Sequence, residues 1–263
     1  MMTFLESRIK MYKKWFFVFI APSLIGVAVF ILLPFLDVVK RSFMTVVSHS
    51  YTGLDNYRRV LTNQAFGLAV KNTVRFTFTA IPLLVLTGLI IALALSKIND
   101  TSVIKSLYLF PMAMPTATVV LVWRMFFYKQ DFDSLVAGYL WKNLGYTLVL
   151  WLAGIAAIPN ELVEAARVDG AGWFRCLMHV KLPCLKGSFY TIVVLSFLNS
   201  FKIYREAYLV AGSYPKEEIY LLQHIFNNWY VNLELDKLSA ATVLVGAFLF
   251  VFILVLNKLW NGD

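Results

Sequence analysis

Long uncharged runs alternate with short polar stretches along this chain. The first, Trp15–Leu36, holds no charge in 22 residues. Phe76–Leu95 gives 20 such residues and Leu238–Asn257 another 20. Each exceeds the roughly 18 apolar residues that mark a helix able to cross a bilayer. Ser106–Trp123 is apolar for 18 residues, with Arg124 at its end. Two further runs are interrupted: Ser134–Ile158 by Lys142 and Asn143, and Gly187–Gly212 by Asn199, Lys202, Arg205 and Glu206. The pattern predicts about six spans, an all-α integral membrane protein, and one transmembrane domain over residues 1–263. A polar connection, Asp37–Asn72, is expected between spans one and two. Ser213–Lys237 joins spans five and six and contains an amphipathic stretch, EEIYLLQHIFNNW.

Composition agrees with this. The chain has 263 residues, 60% of them apolar, 15% charged, and a mean hydropathy of +0.70. Soluble domains carry about 25% charged residues, so one soluble core of this size cannot hide the apolar surplus. The first run is too long for a signal-peptide core and no small-residue cleavage site follows it, so it is expected to stay in the mature chain. The net charge of +9 suits a protein facing anionic lipid and gives no reason to expect nucleic acid. His49, His179 and His224 are scattered, with no metal-ligand spacing. Arg8, Lys10, Lys13 and Lys14 favour a cytoplasmic N-terminus. Six spans then put Arg167, Arg175, Lys181 and Lys186 on the same side. Lys40, Arg41, Arg58, Arg59, Lys71 and Arg75 fall on the other side and nearly balance them, so charge counting orients the chain only weakly.

One polar stretch stands out: NELVEAARVDGAGWFRCLMHVKLP, residues 160–183. Asn160 is a residue type that caps helix starts, and Glu161 and Glu164 follow where the helix dipole favours acids. Leu162, Ala165, Ala166 and Val168 form a small apolar face. Gly170 falls where a helix must stop. A second helix is expected from about Gly172, with Phe174, Leu177 and Val180 on one face, ending at Pro183. Cys176 and Cys184, on a cytosolic hairpin, are expected as reduced packing residues. The residues alone leave two readings open: an amphipathic connector on the membrane surface, or a docking element for a soluble partner.

The spacing of Glu164-Ala165-Ala166, Gly170 and Val180-x-Leu182-Pro183 resembles the EAA loop of binding-protein-dependent ABC importer permeases, with Val180 where the family has Ile. FPMAMPTATVVLVW (110–123), LWKNLGYTLVLWLAGIAAIPNELVEAARVDGA (140–171) and FKIYREAYLVAGSYP (201–215) resemble the sugar branch, of the maltose and glycerol-phosphate type. The resemblance runs from about Lys14 to the end. One departure is an outer segment between spans three and four cut to about residues 128–133, which bears on contacts to an outer binding protein.

The resemblance implies the type I importer permease architecture. It implies that the loop docks in a cleft of a cytosolic ATPase dimer, with Glu164, Ala165, Ala166, Asp169, Gly170, Leu182 and Pro183 as the coupling set. ATP would bind to that partner, since this chain has no GxxxxGK[ST] phosphate loop. It further implies a second, similar permease subunit, an extracellular solute-binding protein, a sugar cargo, and residence in the bacterial plasma membrane. This chain would supply half of the pathway and no enzymatic step. Alignment with maltose-type permeases puts Met112, Thr116, Tyr139, Lys142, Asn143, Ser196, Asn199, Ser200 and Ile203 at sugar-facing positions. Hydroxyls, amides and aromatic faces among them suit a sugar. Lys142 falls where an apolar residue is expected; an anionic sugar or an acid of the partner subunit would account for it. Arg205 and Glu206 are adjacent, so they are not expected to pair with each other. Interfacial snorkelling or partner contacts are expected for both. Two readings compete: an importer of another small solute (amino acid, polyamine or anion), and a membrane enzyme or scaffold. No acid, base or metal cluster at membrane depth favours an enzyme.

Overall fold

The computed structural model describes residues 16–46, 48, 50–98, 102–126, 129 and 131–261. Arg8, Lys10, Lys13 and Lys14, Trp15, His49 and part of the short 128–133 segment lie outside these residues.

Three helices are long and apolar enough to cross a membrane: α1 (Phe16–Ser42), α3 (Gln64–Leu95) and the helix that begins at Leu235. Between α1 and α3 lies α2 (Asp55–Leu61). Three bent pairs bring the total to as many as six spans. The first pair is α4 (Ser102–Ala113) with α5 (Thr116–Phe126). The second is α6 (Phe132–Ala156) with α7 (Asn160–Val168). The third is α8 (Trp173–Cys184) with α9 (Lys186–Ser200), continued through a 3₁₀ turn, Phe201–Ile203, into α10 (Tyr204–Ala211). After these come α11 (Leu222–Val231) and α12 (Leu235–Asn261). The chain is thus the all-α membrane protein expected.

Three details differ from the pattern reading. The helix α3 starts at Gln64, well before Phe76, and absorbs the last quarter of the polar connection, residues 64–72. Its polar turns are held: Asn72 donates to the Glu217 and Tyr220 carbonyls, and the Arg75 guanidinium lies 3.9 Å from the Phe132 ring centroid. The first helix runs on to Ser42, where Arg41 pairs with Asp37 at 2.6 Å. Span three is not one helix. It bends by 99° between Ala113 and Thr116, where Pro115 lacks an N–H and pushes Met114 out of the helical region.

Two prolines that stay within a helical run leave a milder mark. Pro34 and Pro183 each follow a π turn, Ala28–Leu32 and Leu177–Lys181, closed by Leu33 N–H to the Ala28 carbonyl and Leu182 N–H to the Leu177 carbonyl. A proline ring clashes with the carbonyl four residues back, and the wider turn relieves that clash.

By contacts the chain divides into two units, residues 1–63 with 229–263, and residues 64–228. In the first, α12 packs on α1 and α2. Buried Asn56 donates to the Ser42 and Met44 carbonyls at 3.1 and 2.9 Å and fixes the end of α1. In the second, α6 is the central helix, packed on α3, α4 and α9. Its glycines permit close crossings: a Cβ on Gly145 would collide with the Tyr108 carbonyl, and one on Gly138 with the Trp123 ring. Phe76, Leu84, Trp123, Leu135 and Tyr139 make up part of the core.

Candidate functional site

The hairpin of residues 160–183 is built as two short helices turned by glycine. The helix α7 follows Pro159, which occupies the N-cap position with φ −57° and ψ 131°. Asn160 is therefore the first helical residue and caps nothing, contrary to expectation; Glu161 lies in the first turn. At the other end Gly170 has φ +80°. Its N–H donates to the Arg167 carbonyl at 3.0 Å, and the Ala171 N–H donates to the Ala166 carbonyl at 2.9 Å. This pair of bonds closes a helix only when the residue between them is left-handed, which glycine adopts without a Cβ penalty. A Cβ on Gly170 would meet nothing within 4 Å, so conformation and not space selects glycine there.

The second arm, α8, starts after Gly172 and buries Cys176. Phe174 is exposed, along with Trp173, Met178, Leu162 and Val168, while Leu177 and Val180 are half-buried. Both cysteines are free thiols, Cys184 at the surface. Of the predicted coupling residues, Glu164, Ala165, Asp169, Gly170 and Pro183 are exposed, while Ala166 and Leu182 are half-buried. Among the described residues Glu164 and Asp169 form no ion pair. Lys97, just beyond α3, holds its ammonium 5.8 Å from the Trp173 ring centroid. The hairpin thus presents small residues, apolar side chains and uncompensated acids together, a surface suited to a folded partner with basic groups.

A second polar site lies where α6 meets α9 and α10. The Tyr139 hydroxyl donates to the Ser196 carbonyl at 2.6 Å, and the Tyr146 and Ser196 hydroxyls are 2.8 Å apart. Asn143 donates to the Tyr139 carbonyl at 2.9 Å, and Ser200 to the Phe197 carbonyl at 2.7 Å. Tyr139, Asn143, Ser196, Ser200 and Ile203 are buried within this chain. Asn199 and Thr116 are half-buried and Met112 is 46% exposed, so these three reach the surface. Met112 and Thr116 flank the bend at Pro115; Asn199, Ser200 and Ile203 flank the 3₁₀ break in span five. The arms beyond the two breaks, α5 and α10, pack together, and Arg124 donates to the Leu209 carbonyl at 3.0 Å. Broken spans at membrane depth are where transport sites form.

Lys142 resolves differently from both explanations offered for it. Its ammonium pairs with the Glu206 carboxylate of the same chain, across from α6 to α10. Glu206 is 1% exposed and so neither snorkels nor reaches a partner. A carboxylate buried that deeply needs a counter-charge, and Lys142 supplies it.

Outside the spans, Asp131 caps α6: Ser134 donates to it through its N–H at 2.9 Å and its hydroxyl at 2.6 Å. Those bonds favour the carboxylate and hold its pKa below the usual value. Pattern reasoning also passed over His224, on α11. It is fully buried, accepts the Leu221 N–H at its Nδ1, and lies between the Tyr204 and Tyr220 rings at 4.8 and 5.6 Å. Its Nε2 has no hydrogen-bond partner. Burial pushes its pKa down to about 4, so the ring is neutral at pH 7. The signal was present: His224 stands three residues after Leu221 and four before Asn228, on the buried face of the amphipathic stretch.

Comparison with known proteins agrees with this arrangement. Residues 74–261 match the family "binding-protein-dependent transport system inner membrane component". The chain is 26% identical, over 97% of its length and 96% of the relative's, to the trehalose/maltose transport system permease protein MalF of Thermococcus litoralis. It is 26% identical, over 74% of its length and 71% of the relative's, to the arabinooligosaccharides transport system permease protein AraP of Bacillus subtilis. Its fold matches a chain of a bacterial ABC transporter involved in import of the acidic polysaccharide alginate, with a TM-score of 0.77, 15% identity, and coverage of 97% and 98% of the two chains. The chain belongs to the binding-protein-dependent transport inner membrane family and is a multi-pass permease subunit of that family.

Proposed function

We propose that this chain is a permease subunit of an ATP-driven carbohydrate importer. It forms half of the translocation pathway beside a second, homologous permease. The hairpin of α7 and α8 couples the pathway to a cytosolic ATPase dimer, which binds the ATP. An extracellular binding protein delivers cargo, and the N-terminus is cytoplasmic. The sugar assignment draws support from relatives named for trehalose, maltose and arabinooligosaccharides. The coupling assignment rests on one observation: a glycine-terminated hairpin exposing Glu164, Ala165 and Asp169, with no hairpin acid paired among the described residues. Glu164 meets a basic group of the ATPase, and Ala165 permits close approach. The pathway set is Met112, Thr116 and Asn199 at the surface, backed by Tyr139, Lys142, Asn143, Ser196, Ser200 and Ile203.

A pull-down from the native host tests this. The tagged chain, extracted in mild detergent, is expected to bring an ATPase, a second permease and a solute-binding protein, identified by mass spectrometry. Glu164→Lys is expected to lose the ATPase and keep the second permease. A chain that inserts normally yet brings no ATPase would leave the hairpin a surface connector and refute the reading.

A further inference from the structure

Pairing Lys142 with Glu206 leaves two other cations at the break in span five. Lys202 sits in the 3₁₀ turn and Arg205 in the first turn of α10; both are exposed. The two are three positions apart in one continuous helical run, where side chains at i and i+3 are neighbours, so the cations share one face. Like charges so placed repel each other. The acid next to Arg205 in sequence, Glu206, is buried and engaged by Lys142. Among the described residues neither Lys202 nor Arg205 forms an ion pair. The break therefore carries Lys142, Lys202 and Arg205 against Glu206, a surplus of two positive charges within a membrane span.

Lys202 lies nine positions before Ala211, about 13 Å of helix from the end of α10. Asn199, half-buried one turn earlier, adds an amide of the kind that binds sugar hydroxyls. Cations at membrane depth that lack a protein partner mark a path for ions or charged cargo.

We infer that Lys202 and Arg205 form an anion-recognition point of the pathway, which takes the carboxylate or phosphate of an acidic carbohydrate. The inference rests on the importer reading and names its cargo class. Arg205 offers a planar fork to the anion and Lys202 a point charge. Lys142 contributes no free charge, because Glu206 neutralises it.

The test uses the whole complex purified with its second permease and ATPase. Binding of three probes is measured by calorimetry: trigalacturonate, glucose 6-phosphate, and neutral maltotriose. Wild type is expected to bind at least one acidic probe more tightly than maltotriose. Lys202→Gln and Arg205→Gln are each expected to weaken acidic binding by roughly tenfold, the worth of a charge-assisted hydrogen bond. Maltotriose binding should not move. Binding of neither acidic probe by wild type, or unchanged acidic binding in the double variant, overturns the inference. Loss of the second permease from the double variant would assign the cations to an acid of that subunit. Loss of co-purified anionic lipid would assign them to headgroups. Either result also overturns it. A complex without ATPase would instead count against the importer reading, so the two failures are distinguishable.

Discussion

Gly170→Ala and Gly170→Pro should separate conformation from contact in the hairpin. Gly170 has φ +80°, and a Cβ there would touch nothing within 4 Å. Alanine therefore loses only the left-handed preference, about 1–2 kcal/mol. Proline cannot reach that φ at all, and it also deletes the N–H that donates to the Arg167 carbonyl at 3.0 Å. That bond is worth about 1 kcal/mol. No residue of α7 is buried, so little packing holds the turn against the strain. A cost of 1–2 kcal/mol lowers the population of an ordered state by roughly 5–30-fold. ATPase affinity is measured on purified permease complexes by titrating the ATPase subunit, and uptake is measured in parallel. Gly170→Ala should weaken ATPase binding by up to that factor. Gly170→Pro should abolish binding and uptake while membrane insertion persists. Gly172→Ala is the control: Gly172 has φ −65° and ψ 168°, open to any residue, and its Cβ would meet nothing. Its ATPase affinity should match wild type. Wild-type uptake in Gly170→Pro, or equal damage from Gly172→Ala, would refute the reasoning.

Three further outcomes are expected. Lys142→Met strands the buried Glu206 carboxylate and should cost about 3–5 kcal/mol, read as a lowered melting temperature in detergent; adding Glu206→Leu should recover most of it. A double variant no more stable than Lys142→Met would count against the pair. His224 titrates near 4 when folded against 6.5 as its ordinary value. Between those values the unfolded chain binds more protons, so stability is full above pH 6.5 and falls as pH drops toward 4, by on the order of 3 kcal/mol. His224→Phe should flatten melting temperature against pH across that window, and an unchanged slope would place the acid sensitivity elsewhere. Gly145→Val drives a side chain into the Tyr108 backbone where α4 crosses α6, and should sharply reduce the yield of folded protein in gel filtration. A wild-type elution profile would show that the crossing is looser than described.

The uncharged runs disclosed the spans because a helix in lipid must satisfy its own backbone, and only length and apolarity are then needed. The hairpin was legible for a different reason: its glycine, acids and proline act within a few residues of one another. What the pattern missed depends on distance or on choice among equals. Lys142 and Glu206 lie 64 residues apart, so no local periodicity links them. Pro115 breaks span three, yet Pro82 and Pro111 sit inside helices, so a proline alone does not say where a span bends. The early start of α3 required a partner for Asn72, which comes from carbonyls 145 and 148 residues away. Asn160 looked like a cap by type, but Pro159 occupies that position.

The central claim is that the turn of the hairpin touches an ATPase. Cysteine crosslinking tests it most directly. The two native cysteines, Cys176 and Cys184, are first replaced by alanine, and Ala165→Cys is introduced on the exposed face of α7. Membranes from the native host are treated with a short thiol-to-amine crosslinker, and the adduct is identified by mass spectrometry. The account predicts a crosslink to an ATP-binding subunit that forms from Ala165→Cys and not from Val251→Cys, on the exposed apolar face of α12. Ready labelling of Ala165→Cys by a soluble maleimide with no protein adduct, in membranes that contain the ATPase, would contradict it.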